Sequence, residues 1–237
     1  MLIGLISSVI KEGKIIARQW DKRRQISGMP SYEGNTHAND IVYVVSGMGK
    51  TNAAHAATVL IERFSPGLVI LFGVGGAYPS SGLEVGDVAV AEKEVYGDEG
   101  FQRGNRFHGT ECIGIPLLKR GRKRYFNEFP LDRKLSRKTL ESARLVTKTA
   151  AGTFVTVSTC TGTKERAFEF EKKLGAICEN MEGAAVAHVC AIYGIPMIEI
   201  RGISNIVENR DKDRWNVTLA AEHCQEVVLN VLKVPIL

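Results

Sequence analysis

Glu182 in the stretch ENMEGAA (179–185), and Arg201 and Asn205 in IRGISN (200–205), are the residues whose types and spacing could do chemistry together. The pattern reads as a helix start, a buried helix, an apolar strand PMIEI and then a polar loop. That order leaves a carboxylate, a cation and a side-chain amide near one end of a sheet, where open α/β folds build their sites. A carboxylate accepts hydrogen bonds from a diol, and an amide offers a donor and an acceptor at once to a purine edge. Together they suggest a nucleoside site. The plainer alternatives are a carboxylate favoured by a helix N-terminus for Glu182, a buried ion pair for Arg201, and a turn-capping amide for Asn205.

Two glycine-rich stretches add backbone to this set. Ser46-Gly47-Met48-Gly49-Lys50 lies between an expected strand and an expected helix, where glycines admit a ligand close to the backbone and helix amides attract anions. It has neither the Walker spacing nor the third glycine of a dinucleotide fingerprint, and an empty tight turn explains it equally well. Gly73-Val74-Gly75-Gly76-Ala77 follows the next expected strand, and its glycine density points to close approach of a substrate. Gly82 to Asp87 reads as a turn feeding another strand, with Asp87 as a local hydrogen-bonder.

The elements that must position these residues alternate short β-rich runs with helical patterns, the signature of an α/β fold. Strands are expected near 2–7, 40–45, 68–73, 87–92, 153–158, 176–178 and 196–201. Helices are expected at 51–64, 136–148, 163–173, 182–193 and 217–232, the first stopped by Ser65-Pro66-Gly67. His188 and His55 read as packed helix residues rather than catalysts. The long, weakly periodic segment 98–132 is expected to be functional or an insertion. No linker divides the 237 residues, so one domain over 1–237 is expected.

With 44% hydrophobic and 24% charged residues, the composition is that of a soluble globular protein. The run 2–10 contains Ser7 and Ser8 and lacks a basic lead, so it reads as a buried strand, and a cytoplasmic protein is expected. The five cysteines share no C-x-x-C spacing, and Cys160, Cys178 and Cys190 read as buried thiols, with no disulfide frame and no metal site. The net charge of +5 owes much to the basic residues of 119–124 and 133–138. No stacking aromatics accompany them, so they read as solvated surface and no nucleic acid is expected.

Taken in order, IGLIS, SGMGKTNAA, GVGGA, GLEVGDVAVA, MEGAAVAHVC and IPMIEIRGISN resemble the nucleoside phosphorylase/nucleosidase superfamily. They span most of the chain outside 100–150. GVGGAYPSSGL, ENMEGAAVAHVC and RGISNIVENRD resemble most its futalosine hydrolase branch, related to the methylthioadenosine/S-adenosylhomocysteine nucleosidases. The resemblance implies an α/β domain with a mixed, partly barrel-like central sheet flanked by helices. It also implies a purine nucleoside ligand, no metal or organic cofactor, and a homo-oligomer.

The resemblance further implies roles. Glu182 would accept from the ribose 2′- and 3′-hydroxyls with Met181 packed on the sugar, and Val74, Gly75 and Gly76 would line the site. Met48 would sit near the 5′-substituent, where an aromatic carboxylate calls for one basic contact from among Arg103, Arg106, Arg210 and Arg214. Glu12 would activate water and Arg201 would orient it; without the resemblance Glu12 is an exposed acid beside Lys11 and Lys14. Adenine-directed nucleosidases carry an aspartic acid where this chain has Asn205. An amide does not titrate near neutrality, which favours a 6-oxopurine whose O6 helps carry the charge of the departing base. Trp215 would close over the site or cover the core. Phosphorolysis, adenine specificity and a catalytically silent nucleoside-binding homologue are the competing expectations. The first would need more cations than Lys50 and a hydroxyl residue at Val74.

Overall fold

The computed structural model describes residues 1–20, 22–36, 39–104 and 106–233. Its strands are β1 (Leu2–Ser7), β2 (Lys22–Ile26), β3 (Met29–Asn35), β4 (Asp40–Val45), β5 (Leu68–Ala77), β6 (Val88–Tyr96), β7 (Gly100–Arg103), β8 (Arg106–Gly109), β9 (Leu118–Arg120), β10 (Lys123–Tyr125), β11 (Glu128–Pro130), β12 (Thr149–Thr156), β13 (Ala176–Asn180) and β14 (Met197–Ile206). The helices are α1 (Lys14–Ala17), α2 (Lys50–Phe64), α3 (Arg133–Ala143), α4 (Lys164–Leu174), α5 (Gly183–Tyr193) and α6 (Val217–Lys233).

Ten of the strands form one mixed sheet in the order β11-β6-β12-β13-β5-β1-β4-β3-β2, with β14 pairing both β5 and β6. The double pairing of β14 closes β5, β13, β12, β6 and β14 into a barrel, so the expected mixed, partly barrel-like α/β sheet is present. β1 is buried and lies parallel between β4 and β5, which explains its unbroken apolar run.

Helices cover both faces by burying regular stripes. In α2 the stripe is Ala53, Ala56, Ala57, Leu60 and Ile61, the spacing of a single helical face. The helix stops at Ser65, which adopts a left-handed conformation (φ 48°) before Pro66. α6 packs so tightly on β14 that a Cβ on Gly202 would lie 1.9 Å from the Ala220 carbonyl oxygen. Among the described residues no helix is long and apolar enough to cross a membrane.

Several expectations need correction. β5 and β14 run to Ala77 and Ile206, so the GVGGA stretch and Asn205 are strand, not loop. The glycines of β5 make room for neighbouring protein groups: a Cβ on Gly73 would lie 2.7 Å from Glu12 Oε1, and one on Gly75 2.7 Å from Cys178 Sγ. The β2–β3 hairpin lay outside the expected strands. Segment 98–132 forms the β7–β8 and β9–β10 hairpins and the edge strand β11; residue 105 within it lies outside the described residues. His188 is half-buried and stacks on Phe129, whereas His55 is exposed rather than packed. Cys178 and Cys190 are buried, but Cys160 is only half-buried.

Candidate active site

A cavity of about 290 Å³ is lined by Glu12, Met48, Val74, Gly75, Gly76, Met181, Glu182 and Asn205, eight of the nine residues singled out in the sequence. A larger cavity, about 640 Å³, opens between the β7–β8 and β9–β10 hairpins and α4 and contains none of them. The ninth residue, Arg201, is buried behind the carboxylates of the smaller cavity rather than on its wall.

Glu12 sits on the helical turn that follows β1 and is only 4% exposed, so it is not the surface acid its neighbours Lys11 and Lys14 suggest. Its Oε2 accepts from Ser8 N (3.1 Å), Ser8 Oγ (2.7 Å) and Val9 N (3.1 Å), while among the described residues Oε1 accepts from Val74 N alone (2.9 Å). A carboxylate offers about four acceptor positions, two on each oxygen, so the open one lies on Oε1. That oxygen can take a water.

Glu182 occupies the N-cap position of α5, yet its side chain makes no cap hydrogen bond. Asn180 Oδ1 caps the helix instead, accepting from Glu182 N (2.9 Å) and Gly183 N (2.7 Å). The Glu182 carboxylate is thereby released toward the cavity, where Oε1 accepts from Gly49 N (2.9 Å) and Oε2 meets Arg201 Nη1 (3.3 Å). Each oxygen keeps capacity for one further donor.

Arg201 finds its buried counter-ion in Glu199, with Nε donating to Oε1 at 2.9 Å. These neighbouring carboxylates hold the guanidinium above its usual range against the opposing effect of burial. The register of β14 against β5 slips between Ile203 and Asn205, and the bulge leaves Ser204 without a partner residue there. Bulges commonly re-aim a side chain next to a site. Asn205 is half-buried; Oδ1 accepts from Ser204 Oγ (2.8 Å) and Nδ2 donates to Ile206 O (3.2 Å), leaving one acceptor and one donor position open.

Glu179 was missed, because only the antiparallel pairing of β13 with β5 brings it onto the wall beside Gly76. It accepts from Thr161 N (2.9 Å), Thr161 Oγ1 and Tyr78 OH (3.0 Å), which leaves about one acceptor position. Burial pushes its pKa up, and those three hydrogen bonds oppose the shift. Of the four arginines considered, Arg210 lines the cavity with its guanidinium 5.0 Å from the ring centre of Trp215, another lining residue. Arg214 pairs with Glu208, and Arg103 and Arg106 lie on the β7–β8 hairpin away from the cavity. Lys50 is held by Asp98 (2.6 Å) and Glu99 (2.8 Å). Asp87 accepts from Glu84 N (2.8 Å), a turn contact.

Residues 3–233 match the model of the Phosphorylase superfamily. The futalosine hydrolase of Thermus thermophilus is 38% identical over 192 residues, covering 81% of this chain and 80% of that protein. The 5′-methylthioadenosine/S-adenosylhomocysteine nucleosidase of Bacillus pumilus is 30% identical over 240 residues, covering 98% and 99%. The solved structure of the corresponding nucleosidase from S. pneumoniae with a transition-state inhibitor shares the fold, with TM-score 0.83 at 22% identity over 98% of this chain and 99% of that one. The chain belongs to the Phosphorylase superfamily and is an enzyme of its nucleosidase branch, a hydrolase of N-glycosidic bonds.

Proposed function

We propose that the chain hydrolyses the N-ribosidic bond of a 6-oxopurine nucleoside, with futalosine as substrate and hypoxanthine and dehypoxanthine futalosine as products, a step of menaquinone biosynthesis by the futalosine route. The observation that carries this reading is that Asn205 and Glu179 line the same cavity as Glu12 and Glu182. A 6-oxopurine presents an N1–H donor with O6 and N7 acceptors, whereas adenine presents an N1 acceptor with an exocyclic amine. The open acceptor on Glu179 suits N1–H, and the amide N–H of Asn205 suits N7 or O6. The 38%-identical futalosine hydrolase supports the same choice.

In this reading the ribose hydroxyls donate to the open positions of Glu182, with Met181 against the sugar. Positive charge developing on the ribose is then stabilised by the Glu182 and Glu12 carboxylates. Water on Glu12 Oε1 bonds to C1′ as its proton passes to the carboxylate. The C1′–N9 bond breaks, its electron pair leaves with the base and O6 shares the charge until the base takes up a proton from solvent as hypoxanthine, and Glu12 returns the proton it gained to solvent. Arg201 positions Glu182 from behind, and Arg210 takes the carboxylate of the 5′-substituent beyond Met48.

Phosphorolysis is disfavoured because Lys50 is already neutralised by two carboxylates. Adenine specificity has support from the 30%-identical relative, and Asn205 decides between the bases. Asn205→Asp exchanges a fixed amide for a group that can be protonated for N7 of adenine. A hydrogen bond involving a charged group is worth about 1.5–3 kcal/mol, so the adenosine-to-inosine ratio of kcat/KM is expected to rise roughly 10- to 100-fold. An unchanged ratio would remove Asn205 from base recognition.

A further inference from the structure

Glu94 on β6 and Glu199 on β14 are wholly buried on adjacent antiparallel strands, and neither lines the cavity. Their carboxyl groups converge at Gly183, the first residue of α5. A Cβ there would lie 2.0 Å from Glu94 Oε1 and 2.5 Å from Glu199 Oε2, so only glycine leaves room for both.

One oxygen of the pair has no donor among the described residues, while Arg201 Nη2 of the same network is buried without an acceptor. Glu94 Oε2 accepts from Thr156 Oγ1 (2.8 Å) and Oε1 from Asn180 Nδ2 (2.6 Å), while Glu199 Oε1 accepts from Arg201 Nε (2.9 Å). Glu199 Oε2 is buried without any donor. Two ionised carboxylates in contact away from water are strongly disfavoured, and a protonated carboxyl supplies the missing O–H.

We infer that Glu94 and Glu199 share one proton, with Glu94 as the acid donating to Glu199 Oε2, and that this pair is the positioning element that sets Arg201 against Glu182. The inference rests on the reading of Glu182 as the ribose carboxylate. Burial and the neighbouring carboxylate push Glu94 well up, while Glu199, also raised by burial, is pulled back by Arg201. Among the described residues the other titratable groups around the pair are Glu182 at the start of α5, Glu12 beyond Arg201, Tyr96 at the end of β6, and the Cys178 thiol on β13, itself pushed up by burial.

The pair grips Glu182 by two routes. Arg201 runs from Glu199 to Glu182 Oε2. Asn180 donates to Glu94 through Nδ2 and receives Glu182 N through Oδ1, while Thr156 Oγ1 bonds Glu94 and receives Ala184 N at 2.7 Å. The start of α5 and the Glu182 side chain are therefore fixed by the same buried acid.

The test joins infrared spectroscopy of the ligand-free protein with steady-state kinetics. At neutral pH the wild type is expected to show the carbonyl stretch of a protonated carboxylic acid, and Glu94→Gln to lose it while keeping clearly more of kcat/KM than Glu94→Leu, because the amide supplies the donor to Glu199 although its NH₂ cannot accept from Asn180 as the acid does. Glu94→Leu supplies none, and a misplaced Glu182 is expected to lower kcat/KM on the order of 10²-fold with a raised KM for the nucleoside. Absence of the band from the wild type overturns the shared proton, whatever the substrate. Equal losses in the Gln and Leu variants, or none in Leu, overturn the positioning role. Failure of the substrate reading appears differently, as a band without turnover of any 6-oxopurine nucleoside.

Discussion

Glu12→Gln is expected to bind nucleoside and fail to turn it over. Glu12 Oε1 is the one oxygen of this carboxylate with an open position facing the cavity. General-base catalysis of this type contributes about 10²–10⁴-fold, and the loss should fall on kcat. The amide also meets four donors: with its oxygen toward Ser8 and Val9, its NH₂ faces the Val74 N–H. A buried donor left unpaired costs about 1–3 kcal/mol, so a modest drop in stability should accompany the kinetic loss. Single-turnover assays beside calorimetric binding separate the two effects. Normal single-turnover chemistry would take Glu12 out of the mechanism.

Arg201→Met carries the largest expected effect on the fold. The guanidinium is 1% exposed and pairs with Glu199 and Glu182. Breaking a buried pair by removing one partner costs about 3–5 kcal/mol, a large share of the roughly 5–15 kcal/mol that holds a typical domain together. The pH dependence has a definite sign. Burial raises Glu199 in the folded state and Arg201 pulls it down, so the variant raises it further. A carboxyl raised on folding contributes stability below its unfolded pKa, near 4.3 for glutamate, and loses it as pH rises through the folded value. The deficit should therefore be larger at mildly alkaline than at mildly acidic pH in urea unfolding. A small, pH-independent deficit would contradict the ion-pair network.

What could be read from the sequence follows from how local each signal is. The α2 stripe, its Ser65-Pro66 stop and the apolar run of β1 depend on neighbours within one element, and each was legible. The β2–β3 hairpin was not, because Arg23, Arg24 and Gln25 are exposed on an edge strand and carry no apolar alternation. Its turn did leave a trace in Ser27-Gly28, both with positive φ (50° and 81°). Arg201's acid stands two residues before it in β14, in plain sight in PMIEIR. Glu94 and Glu179 could be assigned only once β6 lay against β14 and β13 against β5. The glycines of β5 drew attention to the right place for a different reason: Gly73 makes way for Glu12.

The most direct measurement is chromatography of the products after incubating the purified protein with futalosine in phosphate-free buffer. Hypoxanthine together with the free sugar product is the expected result. No release until phosphate is added, with a sugar 1-phosphate then formed, would contradict the hydrolytic account. Release of adenine from methylthioadenosine with futalosine left intact would contradict the choice of base.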